Sequence, residues 1–160
     1  MSQENIFLNK NNLMNKVVAR NGKLGFDACE ILSAAIHAVD PYTCTFKRVH
    51  LQNRKIFIDQ NVFDLNQFKR VFLIGFGKAA VPMARAVIDK LGSVLFQSMV
   101  ITKDPKFMAE NGLKNKLRVY LGGHPLPSND SINSTQLILH NLPEMTKEDL
   151  VIVVISGGGS

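Results

Sequence analysis

Val71-Phe-Leu-Ile-Gly75-Phe-Gly77-Lys78-Ala-Ala80 constrains this chain more than any other stretch. Its four leading apolar residues read as a strand buried on both faces, the habit of parallel sheets. Gly75 and Gly77 then allow a sharp turn and a close approach to a ligand with no Cβ in the way. Lys78 follows, and residues 79–91 carry an apolar stripe (Ala80, Met83, Ala84, Val87, Leu91) that predicts a helix stopped by Gly92. Pro82 is tolerated because it falls in the first turn. A strand, a glycine turn and a helix N-terminus together face an anion with backbone N–H groups and a dipole, and Lys78 adds a full charge.

The same pattern recurs along the chain. Residues 97–102 read as a second strand, residues 117–121 as a shorter one nearer an edge, and Leu150-Val-Ile-Val-Val-Ile155 as a central buried strand. Ser128 or Asp130 can cap a helix that ends before Pro143. Strands alternating with helices predict an α/β fold, a Rossmann-like parallel sheet flanked by helices. Ahead of it, residues 26–39 predict a helix with Ala28, Ile31, Leu32, Ala35, Ile36 and Val39 on its buried face. Asp27 and Glu30 would form its capping box, and Pro41 its stop. Residues 49–58 suggest a hairpin turning at Gln52-Asn53-Arg54. Residues 1–23, rich in Asn and Lys, read as an N-terminal extension or a poorly fitting first helix, and residues 24–160 as a partial α/β domain.

No apolar run approaches the ~18 residues that a membrane helix needs, and no signal-peptide core is present, so the expected location is the cytoplasm. Net charge is +6, but the basic residues occur singly or in pairs such as Lys47-Arg48 and Lys69-Arg70, with no interleaved aromatics. That argues against nucleic acid and is consistent with small anionic ligands. Cys29 and Cys44 have no CxxC spacing and read as reduced structural thiols.

In a parallel sheet the loops that follow the strands share one rim, where open α/β sheets bind ligands. Three such loops are glycine-rich: Gly75 to Lys78, Gly122-Gly-His-Pro-Leu-Pro127, and Ser156-Gly157-Gly158-Gly159-Ser160. The last can form an anion nest from its N–H groups. His124 is the histidine placed to meet an anionic substrate or to do acid–base work; His50 and His140 read as surface residues. Gly75-x-Gly77-x-x-Ala80 formally matches the dinucleotide fingerprint, with Asp104 after the next strand, whereas the P-loop spacing is not met. Lys78 favours phosphoryl transfer, because developing charge there calls for a cation.

These motifs resemble the glycerate 2-kinases of the two-domain, MOFRL-containing type. The resemblance rests on Val71 to Ala80 with Met83-Ala84, on Gly123-His-Pro-Leu-Pro127, on Asp149 to Ser160, and on the first helix through Pro41. It implies ATP-dependent phosphorylation of D-glycerate at its 2-hydroxyl with a divalent metal, taken as Mg²⁺. Lys78 matches the family's active-site lysine. Gly75, Gly77, His124, Ser156, Gly157, Gly158, Gly159 and Ser160 are the substrate- and nucleotide-binding candidates. ATP and glycerate are the expected ligands, a homodimer is left open, and no residue is assigned to metal. Members of this family have often carried the name hydroxypyruvate reductase, so an NAD(P)-binding oxidoreductase domain is the alternative, with a non-catalytic fragment as a third. The family's chain continues past this last glycine loop into a second domain. The sequence is therefore read as truncated, and these 160 residues alone are expected to turn over no glycerate.

Overall fold

The computed structural model describes residues 10–110 and 117–157. The chain divides into two compact units, Met1–Cys44 and Thr45–Ser160.

The first unit carries one long helix, α1 (Lys10–Ala38), broken at Gly22, whose φ of 55° and ψ of −131° are not helical. Asp27 therefore lies inside the helix and caps nothing; it pairs instead with Lys23 one turn earlier, at 2.6 Å. The expected buried stripe is also misplaced. Ile31, Leu32 and Val39 are exposed, whereas Cys29 and Ser33 are buried. A second helix, α2 (Pro41–Arg48), starts at the proline that ends the first. Asp40 caps it, accepting from the Thr43 N–H at 2.7 Å, and Pro41 sits where a helix has no N–H to lose.

The second unit opens with an antiparallel sheet of β1 (Val49–Gln52), β2 (Lys55–Ile58) and β3 (Asn61–Asp64). The expected hairpin turns at Asn53 and Arg54, both at positive φ, which matches the twist of paired strands. The third strand was not foreseen. Ile56 anchors this sheet in the main core, which it shares with the parallel sheet and the helix that covers it.

Four parallel strands follow: β4 (Arg70–Phe76), β5 (Leu95–Thr102), β6 (Leu117–Leu121) and β7 (Asp149–Ile155), in the order β6-β5-β4-β7. Helix α3 (Ala80–Leu91) leads from β4 to β5, and α4 (Asn129–Asn141) from β6 back to β7. Side chains alternate across a strand, so Val71, Leu73, Val100, Ile152 and Val154 face α3. Phe72 and Ile138 are buried on the opposite face, with α4. β7 departs from expectation: among the described residues it is an edge strand, and Val151, Val153 and Ile155 are exposed. No helix among the described residues is long and apolar enough to cross a membrane.

The amino ends of β4 and β7 are clamped by Arg70 and Asp149, which also pair in register. The guanidinium grips both carboxylate oxygens at 2.7 Å and lies over the Phe72 and Phe96 rings, 5.3 and 5.7 Å from their centroids. Asp149 also accepts from the Thr146 N–H at 2.8 Å. These bonds, the Arg70 pair first, hold its carboxyl far below the usual carboxylate range despite its burial. A depressed acid stabilises the fold fully above the unfolded carboxylate pKa of about 3.9 and loses that contribution as pH falls further. Asp149→Asn should therefore lower Tm at neutral pH, with the gap to the parent closing only in strong acid. Thermal unfolding across pH checks this; a gap unchanged at the acid end would contradict it.

Candidate functional site

The strand order fixes where the functional loops meet. The chain winds from β4 through β5 to β6, then α4 carries it back to place β7 on the far side of β4. The winding thus reverses between β4 and β7, and at such a switch point a crevice opens beyond the strands' carboxyl ends. The loops after β4, β5, β6 and β7 all leave from that edge, as the parallel pairing requires.

At the crevice the loops after β4 and β7 are stitched together. The Ser156 N–H donates to the Phe76 carbonyl at 3.2 Å and the Lys78 N–H to the Gly157 carbonyl at 3.3 Å. The Ala79 N–H donates to Ser156 Oγ at 2.8 Å, so a residue from β7's end caps α3 in place of a local side chain. Gly77 makes this approach possible: its φ is 112°, and a Cβ there would lie 2.5 Å from the Ser156 carbonyl oxygen. Gly75 is different. It lies inside β4 at negative φ, and its missing Cβ leaves room for Val154 and Val100, whose methyls would sit 2.7 and 2.8 Å from it. The turn belongs to Gly77 alone.

This stitching changes the source of positive charge. The N–H groups of Lys78 and Ala79 go to the Ser156-Gly157 segment and that of Ala80 to the Gly77 carbonyl. Those three expected anion donors are engaged inside the fold, and among the described residues exposed side chains carry charge on the rim. Lys78 is exposed at the end of β4, and Lys103 is exposed just past β5. His124 lies half-buried in the loop after β6. Burial, then the charges of Lys78 and Lys103, push its pKa below the ordinary histidine value. Three basic groups from three neighbouring strand ends therefore act on one place.

Beside them lies a cavity of about 440 Å³ between α4 and the sheet. Gly77, Thr102, Lys103, Gly122 and Gly123 form its rim, Ile74, Ile101 and Ile138 its apolar wall, and Ser131 and Thr135 add hydroxyls from α4. Ser131 Oγ accepts from the Gly123 N–H at 2.8 Å, and the Gly122 N–H donates to the Thr102 carbonyl at 2.9 Å, fixing the histidine loop to both α4 and β5.

Lys103, Thr102 and Ser131 were missed in the sequence. The signal for Lys103 was present, since it follows a strand at the same edge as Lys78. Asp104, the acid that the dinucleotide pattern singles out, is paired with Lys106 at 2.8 Å, which lowers its pKa. Gly158, Gly159 and Ser160 lie outside the described residues. Among the described residues no group of three His, Cys, Asp or Glu side chains is arranged to hold a metal ion.

Comparison with known proteins agrees with the motif resemblance. The chain is 38% identical over 107 residues to a glycerate 2-kinase of Picrophilus torridus, covering 66% of this chain and 25% of the relative. It is 33% identical over 130 residues to a glycerate 2-kinase of Pyrococcus horikoshii, covering 81% and 28%. A solved structure from Pyrococcus horikoshii OT3 superposes with a TM-score of 0.68 at 31% identity, covering 83% of this chain and 29% of that one. The chain thus spans little more than a quarter of the length of these relatives. Residues 27–160 match the family model described as a domain of unknown function, DUF4147, and the chain belongs to that family.

Proposed function

We propose that this chain forms the anion-holding part of a glycerate kinase that transfers the γ-phosphoryl group of ATP to the 2-hydroxyl of D-glycerate. The observation that carries the reading is that Lys78 and Lys103 both act on His124 at the carboxyl edge of the sheet, beside an open cavity. The names of its relatives support the reaction class. Phosphoryl transfer needs little covalent chemistry from the protein; it needs positioning and opposite charge around the transferred group. Lys78, exposed and next to the cavity rim, is the group that meets charge developing on the phosphoryl oxygens. Lys103 and His124 hold the anionic acceptor, and Gly77 with Ser156 and Gly157 keeps Lys78 in place. The proposed setting is cytoplasmic.

Mg²⁺ would neutralise phosphate charge. The described residues do not fit a resident ion, since Asp104 is taken up by Lys106 and Asp130 is exposed in the first turn of α4. The ion commonly rides on the nucleotide's phosphates, and no step here is assigned to it.

The reductase reading retains one favourable feature, a glycine turn at the switch point of a Rossmann-like strand order. NADH separates the two. The kinase reading expects no enhancement of NADH fluorescence on mixing and, in the full-length parent, ATP-induced shifts of the Gly77, Lys103 and Gly122 amide resonances. A clear enhancement at micromolar cofactor, with no ATP-induced shifts, would move the assignment to the reductase.

A further inference from the structure

We propose that His124 works as a neutral hydrogen-bond donor, its Nε2–H holding an oxygen of the anionic acceptor beside Lys78 and Lys103, and that it takes up no proton. The inference deepens the proposed function and rests on that reading for the identity of the ligand, but its chemical core stands on the histidine's surroundings.

The ring's two nitrogens differ. Nδ1 is enclosed by the protein and has no hydrogen-bond partner. Nε2 is not enclosed, and among the described residues no group bonds to it. An imidazolium would need acceptors for two N–H groups, and the enclosed one has none. The charged groups that act on the ring are Lys78, from the turn after β4, and Lys103, from the end of β5, and both oppose a third positive charge. Among the described residues no carboxylate offsets them: Asp104, nearest in sequence to Lys103, is paired with Lys106. The ring is therefore neutral.

The choice of tautomer follows from the cost of an orphaned atom. An enclosed N–H with no acceptor is among the rarest features of folded proteins, and an under-used acceptor is less costly. The proton therefore sits on Nε2, outside, and the bare lone pair sits on Nδ1, inside. A histidine in that state has no basic nitrogen exposed to a substrate. It can only donate. Two ammonium groups attract an oxyanion from any direction, whereas a single N–H selects one direction. The loop is also fixed from behind by the Ser131 bond to the Gly123 N–H, so the donor is held in place before the ligand arrives. Burial and the two lysines lower the ring's pKa, so the neutral donor is favoured further toward acid than in an ordinary histidine. The proton of the substrate hydroxyl must leave by a route other than this ring.

Long-range ¹H–¹⁵N NMR of the labelled chain reads the tautomer directly. The expected result is a protonated Nε2 and a bare Nδ1, unchanged between about pH 6 and 8. A protonated Nδ1, or a ring that titrates in that range, would overturn the proposal. The ligand-holding half is tested with inorganic phosphate and D-glycerate as probes. His124→Gln, which keeps an N–H near the Nε2 position, should retain affinity to within a few-fold, and His124→Ala should lose about tenfold. The amide spectra of both variants must otherwise match the parent, which separates this loss from unfolding. Equal binding by the Ala variant would refute the contact. If the tautomer and the Gln/Ala split hold and the longest polypeptide carrying these residues releases no ADP with D-glycerate, the proposed function fails while the donor assignment stands.

Discussion

Gly77→Ala should destabilise the Thr45–Ser160 unit by roughly 2–5 kcal/mol, combining strain at a positive φ with overpacking. The φ of 112° is closed to side chains whatever space surrounds it. The space is closed as well, because the new Cβ would stand 2.5 Å from both the carbonyl oxygen and the hydroxyl of Ser156. Neither can withdraw cheaply. The Ser156 N–H is bonded to Phe76, and its Oγ caps α3 through the Ala79 N–H. Relief would separate β4's turn from β7's end and carry Lys78 away from the crevice. A urea titration measures the stability loss. A midpoint shift no larger than that of an ordinary surface substitution would show that the two loops are not locked together.

In a full-length parent enzyme, Lys78→Ala should leave the fold intact and lower turnover by roughly 10²–10³, the usual cost of removing one preorganised group that meets developing charge. The fold is spared because the side chain is exposed, and the bond to Gly157 is made by the backbone N–H, which the substitution keeps. The same substitution removes a positive neighbour of His124, so the histidine's pKa should rise toward the ordinary value. The two readouts are independent. An unchanged kcat would make Lys78 a bystander; an unmoved histidine would show that the two groups do not share a site.

The sheet was legible in the sequence because parallel strands leave continuous apolar runs, as the largely buried Val71 to Ile74 and the half-exposed edge strand Leu150 to Ile155 both do. Helix α3 was legible through its stripe and its Gly92 stop. What failed has physical causes. β3 is four residues long and flanked by Asn61 and Asp64, types that strands disfavour, so it leaves no period to read. In α1, Phe26, Asp27 and Glu30 imitate a capping box, yet the break that matters is Gly22, marked by one residue's backbone. The apolar face drawn through Ile31 and Leu32 assumed that an apolar stripe must be buried, and it is exposed. At the site, the turn and its lysine were legible, but Gly75 was grouped with Gly77 because a sequence does not show whether a glycine serves a turn or the neighbouring strands' side chains. That Ser156 and Gly157 take up the N–H groups of Lys78 and Ala79 depends on long-range pairing of β4 with β7, which no local pattern encodes.

The central claim is that the rim formed by Lys78, Lys103 and His124 serves phosphoryl transfer to glycerate. Its most direct test is a coupled assay for ADP release in the longest polypeptide that carries these residues, with D-glycerate as the variable substrate. The account predicts ADP release that requires D-glycerate, yields 2-phosphoglycerate and falls with Lys78→Ala. ADP release indifferent to D-glycerate, or none at all while hydroxypyruvate is reduced with NADH, would contradict it.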